Sequence, residues 1–239
     1  MDRPKFTRVL LKLSGESLCK PGGHGVNPEE LRTIAQEVES AHKTGVQIAI
    51  VIGGGNMIRG ADLAQAGLIQ RSTADYMGML GTVMNGLALR EALQSLGAEC
   101  RVMSALEIKS VAEPFIRGRA IRHLEKGRVV VLVAGTGNPY FSTDTCAALR
   151  AAELNCECIL KATKVDGVYS ADPNKDPSAQ RFSTLTFAEA IERDLKVMDT
   201  AAFAMCRDNR IPIMVFNFKE SGNIARAVAS EPIGTLVSM

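Results

Sequence analysis

Short runs of apolar, mostly β-branched residues recur along this chain, and amphipathic segments separate them. The runs cover residues 9–13, 46–52, 100–103, 129–133, 158–160 and 213–216. Each run is nearly continuous in its hydrophobicity, which is typical of a strand that is buried on both faces. The segments between the runs have the lengths and periodicity of crossover helices. The pattern therefore predicts an α/β fold with a largely parallel sheet and helices on both of its sides.

The helix signals agree with these strands. Helices are predicted over residues 28–43, 73–95, 116–126, 143–155, 187–194, 200–209 and 223–230. Asn27 precedes the first of them as an N-cap residue, because its side chain can accept hydrogen bonds from the first turn. Gly45, Gly97 and Gly127 each stand between a predicted helix and the next strand, where a left-handed residue ends a helix well.

Length and charge exclude several classes of protein. The chain has 239 residues, 46% of them hydrophobic, which is enough for the core of one large α/β domain or two closely fused lobes. Its net charge of +2 provides no broad field for nucleic acid or an anionic membrane. We therefore expect neither as a partner, and anionic ligands must be bound by local groups.

The N-terminal residues and the cysteines indicate a soluble, cytoplasmic protein. The apolar stretch at residues 9–11 is interrupted by Lys12, so it is neither a signal-peptide core nor a membrane span. The 6 cysteines are scattered, which favours reduced, mostly buried thiols over a disulfide framework. Cys156 and Cys158 lie on one face of a strand, but no second pair stands at zinc spacing. We interpret them as core residues.

Loops at the carboxyl ends of the strands carry the features that suggest a function. In a parallel α/β sheet, ligands bind at these loops. The loops of interest cover residues 12–16, 53–60 and 135–144, and the turn-rich segment 165–183 is long enough to cover a site. Consecutive glycines at residues 53–55 allow the backbone to approach a phosphate closely and to direct several N–H groups at it.

Two cations accompany the glycines. Lys12 lies in an otherwise buried strand, so its ammonium group should point toward an anion or a carboxylate. A structural ion pair is the alternative interpretation of Lys12. Arg59 follows the glycines and has the planar group that braces phosphoryl oxygens, although a lone loop arginine is more often a solvated surface residue.

Other fingerprints of nucleotide or acyl chemistry are incomplete. The chain has no G-x-x-x-x-G-K-[ST] string, so it is not a P-loop enzyme. Gly135 and Gly137 begin a dinucleotide fingerprint, but Tyr140 replaces its third glycine and Pro139 departs from its helix start. No histidine accompanies a nucleophile signature, which disfavours acyl transfer.

Phosphoryl transfer fits the glycines, cations and polar side chains of these loops, because this reaction needs positioning and charge neutralisation more than covalent chemistry. The hydroxyls of Thr136, Ser142 and Thr143, with Asn138, are suited to a phosphate and a base edge. Asp144 is suited to support a metal ion or to orient a lysine. Capping of the following helix is the alternative role of residues 143–144, and the two roles are compatible.

Several motifs follow one another along the chain: LKLSGE at residues 11–16, VIGGGN at 51–56 with RG at 59–60, DYMGML at 75–80, VMNGL at 83–87, GTGNP at 135–139, and KATKVDGV at 161–168 with Ala-Asp-Pro at 171–173. Taken in this order, they resemble the motifs of the bacterial UMP kinases in the amino-acid kinase family. The similarity extends over almost the whole chain. It implies one αβα-sandwich domain over residues 1–239, Mg²⁺-ATP as donor, UMP as acceptor and a homohexamer.

The resemblance also implies the site residues. The catalytic residues would be Lys12, Arg59 and Asp144. ATP would contact Lys12, Leu13, Ser14, Gly15, Gly55, Arg59, Thr163, Tyr169 and Asp172. UMP would contact Gly54, Asp75, Thr136, Gly137, Asn138, Pro139, Tyr140, Phe141, Ser142 and Thr143. No residue is assigned as a metal ligand. The N-terminal part of the domain would form mainly the UMP site, and the part from about residue 160 mainly the ATP nucleoside site.

Regulation is implied in the same way, with GTP as an activator and UTP as an inhibitor. The GTP site would consist of Lys20, Pro21, Gly22, Gly23, His24 and Gly25, for which a mobile loop without a ligand is the alternative. The hypothesis is direct, in-line transfer from ATP to UMP in pyrimidine nucleotide biosynthesis. The alternatives are a related enzyme acting on a carboxylate or carbamate, and a non-catalytic nucleotide or anion binder.

Overall fold

The computed structural model describes residues 6–58, 65, 67–171, 173, 175–176 and 178–239. In these ranges the strands are β1 (Arg8–Leu13), β2 (Gln47–Ile52), β3 (Cys100–Ser104), β4 (Glu113–Pro114), β5 (Val129–Val133), β6 (Cys158–Thr163), β7 (Thr184–Thr186), β8 (Ile213–Asn217) and β9 (Thr235–Ser238). The α-helices are α1 (Pro28–His42), α2 (Arg71–Ser95), α3 (Arg117–Glu125), α4 (Thr143–Glu153), α5 (Phe187–Glu192), α6 (Thr200–Asp208) and α7 (Asn223–Val228), and a 3₁₀ helix spans Gly15–Leu18.

The strands form one sheet in the order β4-β3-β5-β2-β1-β6-β8-β9-β7. Neighbouring strands run parallel except β8 and β9, which pair antiparallel. All the predicted strands are confirmed, and so is the largely parallel α/β sheet. The sequence patterns miss β4, β7 and β9, which are short strands toward the two ends of the sheet. Short strands at sheet edges lack the continuous apolar run that central strands need.

Alternate residues of the central strands supply separate hydrophobic cores on the two faces of the sheet. Leu11 and Ile50 contribute to the core that packs against α1, α2 and α7. Leu10 and Val51 contribute to the core on the opposite face, which packs against α3, α4, α5 and α6. Helices therefore cover both faces, as expected for an αβα sandwich.

Local capping fixes where several helices begin and end. The Asn27 side chain accepts hydrogen bonds from the backbone N–H groups of Glu29 (3.0 Å) and Glu30 (3.2 Å), as predicted. The glycines predicted at helix ends have positive φ angles of 87°, 87° and 69° at residues 45, 97 and 127. Most predicted helix ends differ from the observed ones by a residue or two, as is usual at fraying termini.

The turn-rich segment 165–183 folds back on itself. Tyr169 and Arg181 form an isolated antiparallel bridge, and the Phe182 N–H donates to the Val168 carbonyl at 2.9 Å.

The 6 cysteines are all buried and free. Cys156 and Cys158 are core residues, as the sequence predicts. The prediction that they share one face of a strand is wrong, because Cys156 precedes β6 and packs in the core on the opposite face of the sheet from Cys158.

Helix α2 lies directly on the sheet at Gly86. A Cβ atom at residue 86 would lie 2.4 Å from Cγ1 of Val133, which is buried in β5. A glycine is therefore required where the helix backbone approaches the strand so closely.

Replacing this glycine should destabilise the fold. Gly86→Ala should lower the free energy of unfolding by about 1–3 kcal/mol, because the added methyl group displaces Val133 from a packed core. Gly78→Ala in the same helix is the matched control, since no neighbouring atom lies within 4 Å of its Cβ position. The control should be neutral or stabilising by up to about 1 kcal/mol. Urea unfolding followed by circular dichroism measures both, and equal effects would contradict the close-packing account.

Candidate active site

The loops predicted to bind phosphate meet at one edge of the sheet. Strands β5, β2, β1 and β6 are consecutive neighbours, and they run parallel. Their carboxyl ends therefore bring Lys12, the Gly53–55 loop, the loop at residues 135–143 and Thr163 to the same edge. Arg59 and Asp172, which the sequence also assigns to the site, lie outside the described residues.

The loops after β1 and β2 are in backbone contact. The Gly53 N–H donates to the Leu13 carbonyl at 2.9 Å. A Cβ atom at Gly15 would lie 2.7 Å from the Gly53 carbonyl oxygen and 2.9 Å from the Gly55 nitrogen. Only glycine fits at residue 15, because any side chain would separate the two loops. Ser14 precedes it as the N-cap of the 3₁₀ helix, where its hydroxyl accepts from the Glu16 N–H.

Two lysines and one aspartate form a cluster above this edge, which we call the Lys–Asp–Lys cluster. Lys12 in β1 and Lys161 in β6 are register partners on adjacent strands. The Lys12 Nζ lies 2.7 Å from Asp144 Oδ1, and the Lys161 Nζ lies 2.8 Å from Asp144 Oδ2. Lys161 also donates to the Val197 carbonyl at 2.6 Å. Each carboxylate oxygen of Asp144 thus faces one ammonium group.

The electrostatics of the cluster keep it charged. Burial alone would raise the pKa of the Asp144 carboxyl, but Lys12 and Lys161 together hold this pKa below its ordinary value of 3.8. Burial lowers the pKa of the Lys161 ammonium below 10.5, and the attraction of Asp144 opposes that shift. Asp144 is therefore ionised at neutral pH, and two lysines against one carboxylate give the cluster a formal charge of +1. That excess suits it to attract an anion.

A cavity of about 140 Å³ lies on one side of the cluster. It is lined by seven of the residues predicted to contact UMP: Gly54, Asp75, Thr136, Asn138, Phe141, Ser142 and Thr143. Gly137, Pro139 and Tyr140 do not line it. Tyr140 is 72% exposed, although its backbone N–H donates to Asp75 Oδ2 at 2.9 Å. We call this space the acceptor-side cavity.

A larger cavity of about 550 Å³ lies on the other side. Lys161, Thr163 and Tyr169 line it, together with residues of the turn-rich segment and the chain after α5. The Tyr169 hydroxyl donates to Asp166 Oδ1 at 2.7 Å, which fixes the ring at the wall. The Lys164 ammonium pairs with Glu16 at 2.8 Å and so links the loop after β6 to the 3₁₀ helix. We call this space the donor-side cavity.

The start of α4 is held in place by Asp199. Ser142 is the N-cap of α4, and its hydroxyl accepts from the backbone N–H groups of Asp144 (3.0 Å) and Thr145 (3.1 Å). The same hydroxyl donates to Asp199 Oδ2, and the Thr145 hydroxyl donates to Asp199 Oδ1 at 3.1 Å. Asp199 is itself the N-cap of α6. It therefore couples two helix starts and fixes the turn that carries Asp144.

The predicted GTP segment lies on the surface beside the site. Residues 20–24 are exposed. Gly25 is attached to the glycine loop, since its N–H donates to the Asn56 carbonyl at 2.8 Å and its carbonyl accepts from the Asn56 side chain at 2.7 Å. The segment is thus bonded to the residue that follows Gly53–55.

Carboxylates and thiols do not converge into a metal site within the part of the chain that the structure describes. No group of three or more His, Cys, Asp or Glu residues there is placed to hold a metal ion. Both oxygens of Asp144 already face ammonium groups.

No helix in the described residues is both long and apolar enough to cross a membrane.

Lys161 and Asp199 belong to the site although the sequence patterns above assign them no role. Lys161 follows an apolar strand run just as Lys12 does, so the argument that gives Lys12 an anionic partner also applies to Lys161. Asp199 stands before a predicted helix and reads as an ordinary N-cap. Its contact with Ser142 joins residues 57 positions apart, which no local signal reveals.

Comparisons with known proteins agree with this architecture. The family model for the amino acid kinase family matches residues 7–217. A solved UMP kinase from Bacillus anthracis is 40% identical with a TM-score of 0.95, and the match covers 98% of this chain and 97% of that one. A UMP kinase from Ureaplasma parvum is 37% identical with a TM-score of 0.92, covering 98% and 99%.

A more distant solved structure, a uridylate kinase from Archaeoglobus fulgidus, is 29% identical with a TM-score of 0.74, covering 96% of this chain and 99% of that one. The family model spans most of the chain, and the similar structures match it over nearly their full lengths. The chain belongs to the amino acid kinase family.

Proposed function

We propose that this chain is a UMP kinase, which transfers the γ-phosphoryl group of Mg²⁺-ATP to UMP and releases UDP and ADP. The observation that carries the proposal is the Lys–Asp–Lys cluster between the two cavities. Lys161 lines the donor-side cavity, and Thr143, next to Asp144 in the chain, lines the acceptor-side cavity. Full-length similarity to proteins that are UMP kinases supports uridine monophosphate as the acceptor.

The proposed mechanism is direct, in-line transfer without a covalent intermediate. Lys12 and Lys161 stabilise the negative charge on the transferring phosphoryl group, since Lys161 lines the donor-side cavity and Asp144 holds the Lys12 ammonium group next to it. Asp144 holds both ammonium groups at fixed positions. The catalytic role proposed for Arg59 rests on its place after the glycine loop in the family motif.

Each of the two cavities takes one of the two nucleotide substrates. The donor-side cavity takes the ATP nucleoside, with Thr163 and Tyr169 in its wall, and the proposed contact of Asp172 rests on the motif alone. The triphosphate passes Leu13, Ser14, Gly15 and Gly55 toward Lys12. The acceptor-side cavity takes UMP, whose ribose hydroxyls would bond to Asp75. One domain thus has its acceptor site mainly in the N-terminal part and its donor nucleoside site mainly beyond about residue 160.

Magnesium fits this arrangement as part of the donor substrate. Mg²⁺ in such sites is commonly bound by substrate phosphates with few protein carboxylates. Each oxygen of Asp144 lies beside an ammonium group, which supports a role in orienting the lysines rather than in binding the ion. When bound, the ion would neutralise phosphate charge and support the leaving group.

Regulation and assembly extend the proposal. GTP as an activator at residues 20–25 is supported by the bonds between Gly25 and Asn56, which attach that segment to the glycine loop. UTP as an inhibitor follows from the family resemblance.

A homohexamer is supported by the exposed Tyr76, Leu80 and Met84, which recur every fourth residue along α2 as an apolar stripe. Free, buried thiols fit a reducing cytoplasm.

An acceptor panel tests the proposed function. Purified protein with Mg²⁺-ATP should release ADP when UMP is supplied, and far more slowly with CMP, AMP, aspartate, N-acetylglutamate or carbamate. A coupled assay for ADP measures each rate, and the reaction without acceptor is the control. Preference for a carboxylate or carbamate would assign the chain to a different branch of the family. Binding of ATP and UMP without transfer would indicate a non-catalytic nucleotide binder.

Removing the Lys12 ammonium should abolish most of the turnover. Lys12→Ala should lower kcat by about 10²–10³-fold, the usual effect of deleting one charge-stabilising group. The fold should persist, because Asp144 retains its pairing with Lys161. Lys43→Ala is the matched control, since Lys43 is an exposed residue paired with Glu39. Near-normal turnover in Lys12→Ala would remove Lys12 from the mechanism.

Removing the Asp144 charge should change the pH dependence of the reaction. In Asp144→Asn the two ammonium groups lose their counter-charge. The pKa of Lys161, which Asp144 raises, should then fall further below 10.5. The alkaline limb of the kcat profile should therefore move to lower pH, besides a loss in the maximal rate. An unchanged alkaline limb would show that the reaction does not depend on a charged Lys161.

A further inference from the structure

Two asparagine side chains face each other beneath the glycine loop, and we call them the amide pair. Asn56 follows the glycines, and Asn85 lies in α2; they are 1% and 0% exposed. The Asn56 Nδ2 donates to Asn85 Oδ1 at 3.0 Å, and the Asn85 Nδ2 donates to Asn56 Oδ1 at 2.7 Å. The two carboxamides thus form a reciprocal, fully buried contact.

The remaining N–H groups of the pair bind the backbone of two different loops. The Asn85 Nδ2 donates to the Gly53 carbonyl at 2.8 Å, and the Asn56 Nδ2 donates to the Gly25 carbonyl at 2.7 Å. Every N–H of both carboxamides is therefore used, and each side-chain oxygen accepts a bond. A buried network that is completely satisfied holds its members in one arrangement.

The donor-phosphate loop rests on the same pair. A Cβ atom at Gly15 would lie 2.4 Å from Asn56 Oδ1. The loop after β1, the loop after β2 and helix α2 therefore meet at one amide contact. Helix α2 also carries Asp75 into the acceptor-side cavity. The contact thus joins the proposed ATP-phosphate loop to the helix that carries Asp75 of the proposed UMP site.

We propose that Asn85, acting through Asn56, is a positioning residue that sets the separation of the two phosphate-binding loops. This inference rests on the proposed function, because the separation matters only if phosphate passes between two nucleotides. Neither side chain lines the donor-side or the acceptor-side cavity. Their effect on the reaction is to hold Gly53 and Gly15 in register, and a displacement of about 1 Å at such loops is enough to lower turnover about 100-fold.

The test uses two substitutions at residue 85 and one distant control. Asn85→Asp keeps the size of the side chain but has no N–H to donate to Gly53 or Asn56, and Asn85→Ala removes the contact. Asn223→Ala is the control, since Asn223 is also buried and its Nδ2 donates to the Asn217 carbonyl at 2.8 Å, away from both loops. For each protein, kcat with ATP and UMP is measured per folded molecule. The dissociation constant of each nucleotide is measured separately by calorimetry.

We expect kcat to fall about 100-fold in both Asn85 variants, with much smaller changes in the two dissociation constants. The Asn223 control should lose stability without losing turnover. Folded Asn85 variants with kcat within about threefold of the unaltered protein would overturn the proposal. So would failure of both variants to fold, since the pair would then count as a core element only. Failure of the unaltered protein to phosphorylate UMP would instead refute the proposed function.

Discussion

The pairing of Asp144 with two lysines is the interaction on which the site depends. Lys12 and Lys161 are register partners on neighbouring parallel strands, so their ammonium groups would repel each other across a short distance. A single carboxylate between them makes both charges tolerable in a largely buried place. That carboxylate stands in the first turn of α4, so the helix must begin at a fixed point. Asp199 secures this point through Ser142 and Thr145.

The sheet topology brings these local contacts together at one edge. Because β5, β2, β1 and β6 are parallel neighbours, four loops leave the same edge, and each brings a different group. Glycine backbone from two of them lies in contact, the cluster contributes a net positive charge, and a cavity opens on either side. A local excess of positive charge therefore suits this edge to attract an anion, although the overall charge of the protein is only +2.

The sequence predicts those features whose cause is local. The central strands follow from continuous apolar runs, the start of α1 from Asn27, and an anionic partner for Lys12 from the cost of burying an unpaired ammonium. The patterns miss strands β4 and β7 because they lie at the edges of the sheet, where no such run is needed, and they miss β9 because it is short and only its alternate residues are buried. Lys161 satisfies the rule that identifies Lys12, whereas Asp199 and Asn85 do not, because their contacts join residues 57 and 29 positions apart. Those contacts are properties of the packed fold.

The buried polar contacts at this edge of the sheet orient groups more than they stabilise the fold. A buried ion cluster or amide pair contributes little net free energy compared with apolar residues of the same shape, because desolvation offsets most of its attraction. What such groups do provide is direction, since each hydrogen bond is satisfied in only one arrangement of the backbone. Asp144 directs two ammonium groups, and Asn85 directs the carbonyl of Gly53. A reaction that depends on aligning two phosphates needs this directional restraint more than it needs additional burial.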